Sequence, residues 1–300
     1  MAMTAAKFDR QQEDVSNIVH LEHVNVWVPD QRLATLFYVT GLGLTRDPYL
    51  MTSTDNMWVN VGRSQFHLMT GPAQVLRGVT GLLIPDRPFL LKRLASVRDE
   101  LLDTRFAVEE AADHLAVTCP WGNRMRIHEP APEFGRNALA MPYVTFDVPV
   151  GTADGIARFY REIFDVKTCV TPYEGAPAAE VSVGRDQKLR FRETSAPPPP
   201  YDNHHIQIYL ADFSTPHHRL LERGLVSQES NQWQYRFLDL VDPVDGRVLF
   251  RVEHEVRSLT HPLYGRPLVN RNPYQTNREF ANGYETRAWE MPYAESAHWQ

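Results

Sequence analysis

The alternating segment at residues 21–30, LEHVNVWVPD, sets a histidine, an amide and an indole side by side: His23, Asn25 and Trp27. Successive side chains of a strand point to opposite faces, so these three share one face, and Val24, Val26 and Val28 take the other. The same parity applies to six further alternating segments. Gln65, His67 and Met69 oppose Phe66 and Leu68, and Arg126 and His128 oppose Met125 and Ile127. His205, Gln207 and Tyr209 form a polar face, as do Arg251 and Glu253 opposite Val248, Phe250 and Val252. Tyr143, Thr145 and Asp147 alternate with Val144, Phe146 and Val148, and Arg190 and Arg192 with Leu189 and Phe191. Neutral imidazoles suit Zn, Fe, Ni or Co. Arginine forks suit a carboxylate or a phosphate. A single histidine on such a strand is most often a half-buried polar group with a hydrogen-bond partner. Only convergence of several makes a ligand set.

Four segments resemble one another: those starting at 23, 79, 143 and 205, each a short strand ending in a Pro or Asp turn. A helical pattern follows each: Arg32–Val39, Phe89–Leu102, Asp154–Phe164 and Ser214–Arg223, the last closed by Gly224. After each helix the period returns to two. The chain thus reads as four units of strand, helix and about three strands. One sheet and one helix cannot bury both faces of the sheet. Two units pairing their sheets make a cup, and four units make two. The expected fold is α+β: four βαβββ modules paired into two cup-shaped mixed β-sheets with helices outside.

With its βαβββ repeat, and Phe37-Tyr38 followed by Gly41-Leu42-Gly43, the chain resembles the vicinal oxygen chelate superfamily over about residues 18–255. That group includes glyoxalase I, the bleomycin and fosfomycin resistance proteins and the type I extradiol dioxygenases. The four-unit count is closer to the two-domain dioxygenases. The resemblance implies a first domain at 18–130, a second at 140–256 and an extended tail at 257–300. It also implies metal ligands on the first and last strands of each unit. In the first pair of units those positions are His23, His67 and His128, with Val79 in the fourth place. Three protein ligands and an open position suit a catalytic metal. In the second pair, Tyr143 replaces a histidine of the dioxygenase pattern, while His205 and Glu253 remain. Asp147, His204 or His254 would have to complete a site there. Otherwise Tyr143, Arg190, Arg192, His205, Gln207 and Tyr209 line a ligand pocket, or Glu253 joins a structural network with the arginines.

The expected function is a metal-dependent enzyme, a dioxygenase on a small aromatic or catecholic substrate. The alternatives are a glyoxalase-type lyase or isomerase and a non-catalytic protein that sequesters an aromatic ligand. The cofactor would be a divalent metal, Fe(II) foremost, with Zn, Ni, Co or Mn as alternatives. Asn25, Trp27, Tyr143, Arg192, His205, Gln207, Tyr209 and Glu253 are the expected substrate-binding residues. No catalytic base is assigned, because Glu22 and Glu129 fall on the wrong face by parity.

Composition narrows the class. The chain has 300 residues, 43% of them apolar, and a net charge of −6. That balance offers no basic stripe for nucleic acid. No apolar run approaches the ~20 residues that span a bilayer, and no export signal opens the sequence. Two cysteines are too few for a disulfide framework. A cytoplasmic protein with a small-molecule substrate is expected, with a homodimer as an open case. Residues 131–139 read as the link between halves, and the four prolines at 197–200 as a stiff connector. The aromatic tail, with Tyr264, Tyr274, Tyr284 and Trp289, reads as a strap over sheet edges or a lid over a cup. No P-loop, dinucleotide fingerprint or nucleophile elbow is present.

Overall fold

Each unit folds as its periodicity requires. The structure, a computed structural model, describes residues 10–47, 55–266 and 268. Tyr274, Tyr284 and Trp289 lie outside the described residues. Unit one comprises β1 (Ile18–Asn25), α1 (Gln31–Ala34), which runs on as a π-helical stretch over Thr35–Gly41, β2 (Thr45–Arg46), β3 (Asn56–Val61) and β4 (Ser64–Met69). Unit two has β5 (Gly78–Leu83), α2 (Arg87–Ser96), β6 (Ala107–Glu110), β7 (Leu115–Thr118) and β8 (Arg124–His128). Unit three has β9 (Ala140–Pro149), α3 (Ala153–Phe164), β10 (Thr168–Tyr173), β11 (Ala176–Ser182) and β12 (Lys188–Thr194). Unit four has β13 (His205–Leu210), α4 (Ser214–Glu222), β14 (Val226–Asn231), β15 (Gln234–Val241) and β16 (Val248–Ser258). Aspartates close the strand-to-helix turns. Asp30 accepts from the Leu33 amide at 3.0 Å, and Asp86 from the Phe89 amide at 3.1 Å, each satisfying an orphan N–H of the first turn.

The strands form two mixed sheets of eight. The first runs β14-β15-β16-β13-β1-β4-β3-β2, and the second β10-β11-β12-β9-β5-β8-β7-β6. The expected α+β fold of paired βαβββ modules is therefore present. Which units pair differs from expectation. Unit one joins unit four through antiparallel β1 and β13, and unit two joins unit three through antiparallel β5 and β9. Neither sheet stays within 18–130 or 140–256.

The connectors give the physical reason. Residues 70–77 carry the chain from the first sheet to the second, and residues 195–204, with their rigid prolines, carry it back. The two crossings bind one another. Gln74 Nε2 donates to Asp202 O at 2.8 Å, the Val75 amide donates to Asp202 Oδ2 at 2.6 Å, and the Arg77 guanidinium lies 5.0 Å from the Tyr201 ring centroid.

The valine face of β1 is buried as parity requires: Val24, Val26 and Val28 are at most 1% exposed. Phe146 and Phe191 of the second sheet meet Phe250 of the first at centroid separations of 5.8 and 6.2 Å. Full burial of each such ring contributes about 1.5–3 kcal/mol. Helix α3 packs on β10, β11 and β12 and also against β15, so it ties the sheets together. Its Tyr160 hydroxyl donates to His254 Nε2 at 2.5 Å, while His254 Nδ1 donates to Val252 O at 2.8 Å. Burial pushes the His254 imidazole down to about 3, so it is neutral there. Tyr160→Phe removes the donor and strands a buried nitrogen. Urea unfolding should show a loss of about 1–3 kcal/mol with the fold retained by circular dichroism.

Candidate metal centre

The β1–β13 register decides which side chains meet. His23 stands beside Gln207 and Gln65, and Asn25 beside His205 and His67. On the far side of β13, Glu253 stands beside His205 and Glu255 beside Gln207. The ligand atoms of His23, His205 and Glu255 all lie within 4.8 Å of one another, and the three residues are 1%, 7% and 3% exposed.

A hydrogen bond fixes the tautomer of His23. Its Nδ1 donates to Glu22 Oε2 at 2.5 Å, which leaves Nε2 with a bare lone pair. That Nε2 is buried without a hydrogen-bond partner, as is Nε2 of His205. Two amide oxygens beside them, Asn25 Oδ1 and Gln207 Oε1, are buried and unpartnered too. Buried acceptors without donors are costly. A cation would answer imidazole lone pairs of this kind, and two imidazoles with a carboxylate form a suitable donor set. The residues fit a divalent metal.

Charge is compensated around the site. Glu255 is paired with Arg236 and with Arg257, the latter at 2.6 Å. Burial pushes its carboxyl up, but Arg257, His23 and Arg236 together hold it down to about 2. Burial likewise opposes ionisation of Glu22, and the bonded His23 ring, with Arg257 behind it, brings that carboxyl to about 2. Burial pushes His205 well below the ordinary histidine value, with His23, Arg236 and Arg257 adding to the effect.

Of the expected ligands His23, His67 and His128, only His23 belongs to this cluster. His67 is close, its ring 5.8 Å from that of His23, but both its nitrogens are engaged. Nε2 donates to Asn56 Oδ1 at 2.8 Å and Nδ1 accepts from Asn25 Nδ2 at 2.6 Å, while the ring stacks on Trp58 at 3.8 Å. His128 lies in the other sheet, because unit two pairs with unit three. There its Nε2 accepts from the Tyr143 hydroxyl at 2.8 Å and its Nδ1 donates to Asp113 O at 3.2 Å.

The expected substrate-binding residues divide likewise. Asn25, His205, Gln207, Tyr209 and Glu253 lie in the first sheet, and Tyr143 and Arg192 in the second. Trp27 lies past the end of β1 with its indole against Gly71. Glu253 accepts from Arg236 at 2.5 Å and lies 3.6 Å from His205 Nδ1. His204 is bonded to Asp202 at 2.6 Å, and Asp147 is paired with Arg192 at 2.7 Å. With His254 held by Tyr160, none of the three completes a site. In the second cup Arg190 lies between the rings of Tyr143 and Tyr173, 4.7 and 4.6 Å from their centroids, and with Tyr143 it lines a cavity of about 600 Å³. Arg192 also reaches Glu174 at 2.5 Å.

Two carboxylates escaped the sequence reading. Glu255 follows Glu253 by one pleat, so the parity that selects Glu253 also selects Glu255. Glu22 defeats parity: the pairing of β1 with β13 is irregular between Leu21 and His23, and the extra residue turns Glu22 toward the His23 ring. The segment after β16 lies over this cup. Tyr264 packs edge-on against Tyr209 at 4.8 Å, and Arg266 forms a buried ion pair with Asp47.

No protein-family model and no curated protein sequence matches the chain. Solved structures do. Glyoxalase I from Zea mays superposes with a TM-score of 0.57 at 11% identity, over 80% of this chain and 92% of the maize chain. A candidate dioxygenase from Bacillus subtilis gives 0.54 at 14% identity, over 82% of this chain and 87% of its own. The chain has the vicinal oxygen chelate fold. Within that fold, the His23–His205–Glu255 cluster occupies the cup built by units one and four. Among the described residues no helix is long and apolar enough to cross a membrane.

The buried histidines make the metal-free fold acid-sensitive. His67, His204, His205 and His254 all titrate below the ordinary value of 6.5, so the folded chain binds fewer protons than the unfolded chain. Their contribution is complete above pH 6.5 and is lost as pH falls. Glu22 and Glu255, held near 2 against an ordinary 4.5, add a second loss below pH 4.5. Urea unfolding in chelator should show lower stability at pH 5.5 than at pH 7.5. Equal stability at both would refute the neutral buried imidazoles.

Proposed function

We propose that the chain is a metal-dependent enzyme of the vicinal oxygen chelate type, with its cation held by His23, His205 and Glu255. We further propose that it is a dioxygenase acting on a small aromatic substrate with two adjacent oxygens. Two observations carry the reading: a ring nitrogen of His23, one of His205 and a Glu255 carboxylate oxygen lie within 4.8 Å of one another, and Nε2 of both histidines is buried without a hydrogen-bond partner. Two histidines and one carboxylate leave open positions for a substrate and for oxygen. A divalent metal bound there supplies Lewis acidity and, as Fe(II), redox capacity.

The chain's own residues do the remaining work. Glu22 keeps the proton on His23 Nδ1 and so presents the Nε2 lone pair, the role of a carboxylate behind a metal-bound histidine. Arg257 and Arg236 neutralise Glu255 and hold its orientation. The stacked Trp58 and His67 rings give the cup an aromatic wall beside His23, whose ring meets Trp58 edge-on at 4.9 Å. Leu263, Tyr264, Gly265, Arg266 and Leu268 line a cavity of about 270 Å³ that reaches Glu22 and Tyr209. The likeness in fold to maize glyoxalase I keeps a lyase or isomerase as the second reading, which metal identity separates.

Metal analysis of purified protein should give one equivalent per chain, with iron for the oxygenase and zinc, nickel or cobalt for the second reading. His23→Ala, His205→Ala and Glu255→Gln should each abolish it, and His128→Ala should leave it intact. Glu22→Gln should weaken metal affinity by about 10–100-fold. Full metal content in His205→Ala would sink the assignment.

A further inference from the structure

Of the five Gly-Arg dipeptides in the chain, three converge in space: Gly62-Arg63 between β3 and β4, Gly135-Arg136 in the linker, and Gly184-Arg185 between β11 and β12. Their glycines have φ of 65°, 70° and 144°. Each is also pressed against a different segment. A Cβ on Gly62 would lie 2.0 Å from Leu139 O, and one on Gly184 would lie 2.9 Å from Val19 O. A Cβ on Gly135 would meet the Asp186 carboxylate at 2.3 Å. The glycines therefore lock three loops from both sheets together, and the residue after each is held in place.

The three arginines line one cavity of about 340 Å³, with His20, Ser64 and Tyr264. Asp186 is the one acidic side chain in that lining, which leaves an excess of two positive charges. Among the described residues Arg63 and Arg136 have no carboxylate partner. Arg185 reaches Glu13 at 3.2 Å, but both side chains are 70% exposed, so that pair competes weakly for the fork. Gln187 anchors the floor: its amide accepts from the Leu21 N–H at 3.1 Å and donates to Leu21 O at 3.0 Å and to Met141 O at 3.1 Å.

We propose that this cavity binds the phosphate group of a small molecule. Three guanidinium forks from three separate loops exceed what the two oxygens of a carboxylate accept. They match the terminal oxygens and double charge of a phosphate monoester. The site also has a direction. A neighbouring cavity shares His20, Arg63 and Tyr264 and extends to Glu22, the residue that bonds His23. A phosphate held by the arginines thus points the rest of its molecule toward the metal centre. That last step rests on the proposed function; binding of the anion rests on the arginines alone.

Titration calorimetry with inorganic phosphate and with phenyl phosphate, in sodium chloride of matched ionic strength, tests it, with benzoate as the planar control. Saturable binding of phosphate and phenyl phosphate at one per chain is expected, weakened about tenfold or more in the Arg63→Gln, Arg136→Gln double variant. Both side chains are exposed, so the fold should survive, and metal content should not change. Absence of saturable phosphate binding, equal affinity in the double variant, or benzoate binding as tightly as phosphate would each overturn the proposal. Arginine-dependent phosphate binding in a chain that takes up no metal would uphold the anion site and remove the metal reading, so the two fail separately.

Discussion

The antiparallel contact between β1 and β13 is the constraint on which the rest depends. It sets His23 opposite Gln207 and Asn25 opposite His205, and through β16 it brings Glu255 into the same row. No other pairing of the four units joins these side chains. A slip of one residue would send the polar face of β1 to the helix side and its valines into the cup. Register is therefore a chemical quantity here: it determines the donor set.

The same contact explains why the two cups differ although their architecture is the same. In the first, buried charges of both signs are balanced by paired arginines and carboxylates, and lone pairs remain without donors. In the second, the main polar groups pair within the protein, Tyr143 with His128, Arg192 with Asp147 and Glu174, Arg190 with the aromatic rings and Glu180, and the buried atoms left over are Thr145 Oγ1 and Arg192 Nε rather than imidazole nitrogens. Buried charge is tolerated only when it is paired and hydrogen-bonded. The second cup meets that condition by itself. The first meets it for its ions but not for the nitrogens of His23 and His205.

Much of this was legible in the residues. Period-two alternation and aspartate-capped turns located the four units, and parity placed His23, His205 and Glu253 on the inner face. Sheet pairing was not legible. Alternation says which face a side chain takes but not which strand lies beside it, so it groups His128 with His23 although His128 belongs to the other sheet. The proline run at 197–200 marks a separator in the sequence, but its consequence, a crossing between sheets, depends on bonds to residues 74–75 that no local pattern shows. Parity assigns Glu22 to the wrong face because it assumes a regular strand, and β1 is irregular at that point.

The interleaved pairing has a kinetic consequence. The second sheet is built from one contiguous stretch, residues 78–194, whereas the first must join residues 18–25 to residues 205–210. Non-local strand pairing is slow, and domains complete themselves in order as the chain leaves the ribosome. Unit one emerges first yet must wait, its inner edge unpaired, until the last unit follows. The candidate metal cluster is thus the last part of the molecule to exist: two of its three donors, His205 and Glu255, are synthesised after the second sheet can close.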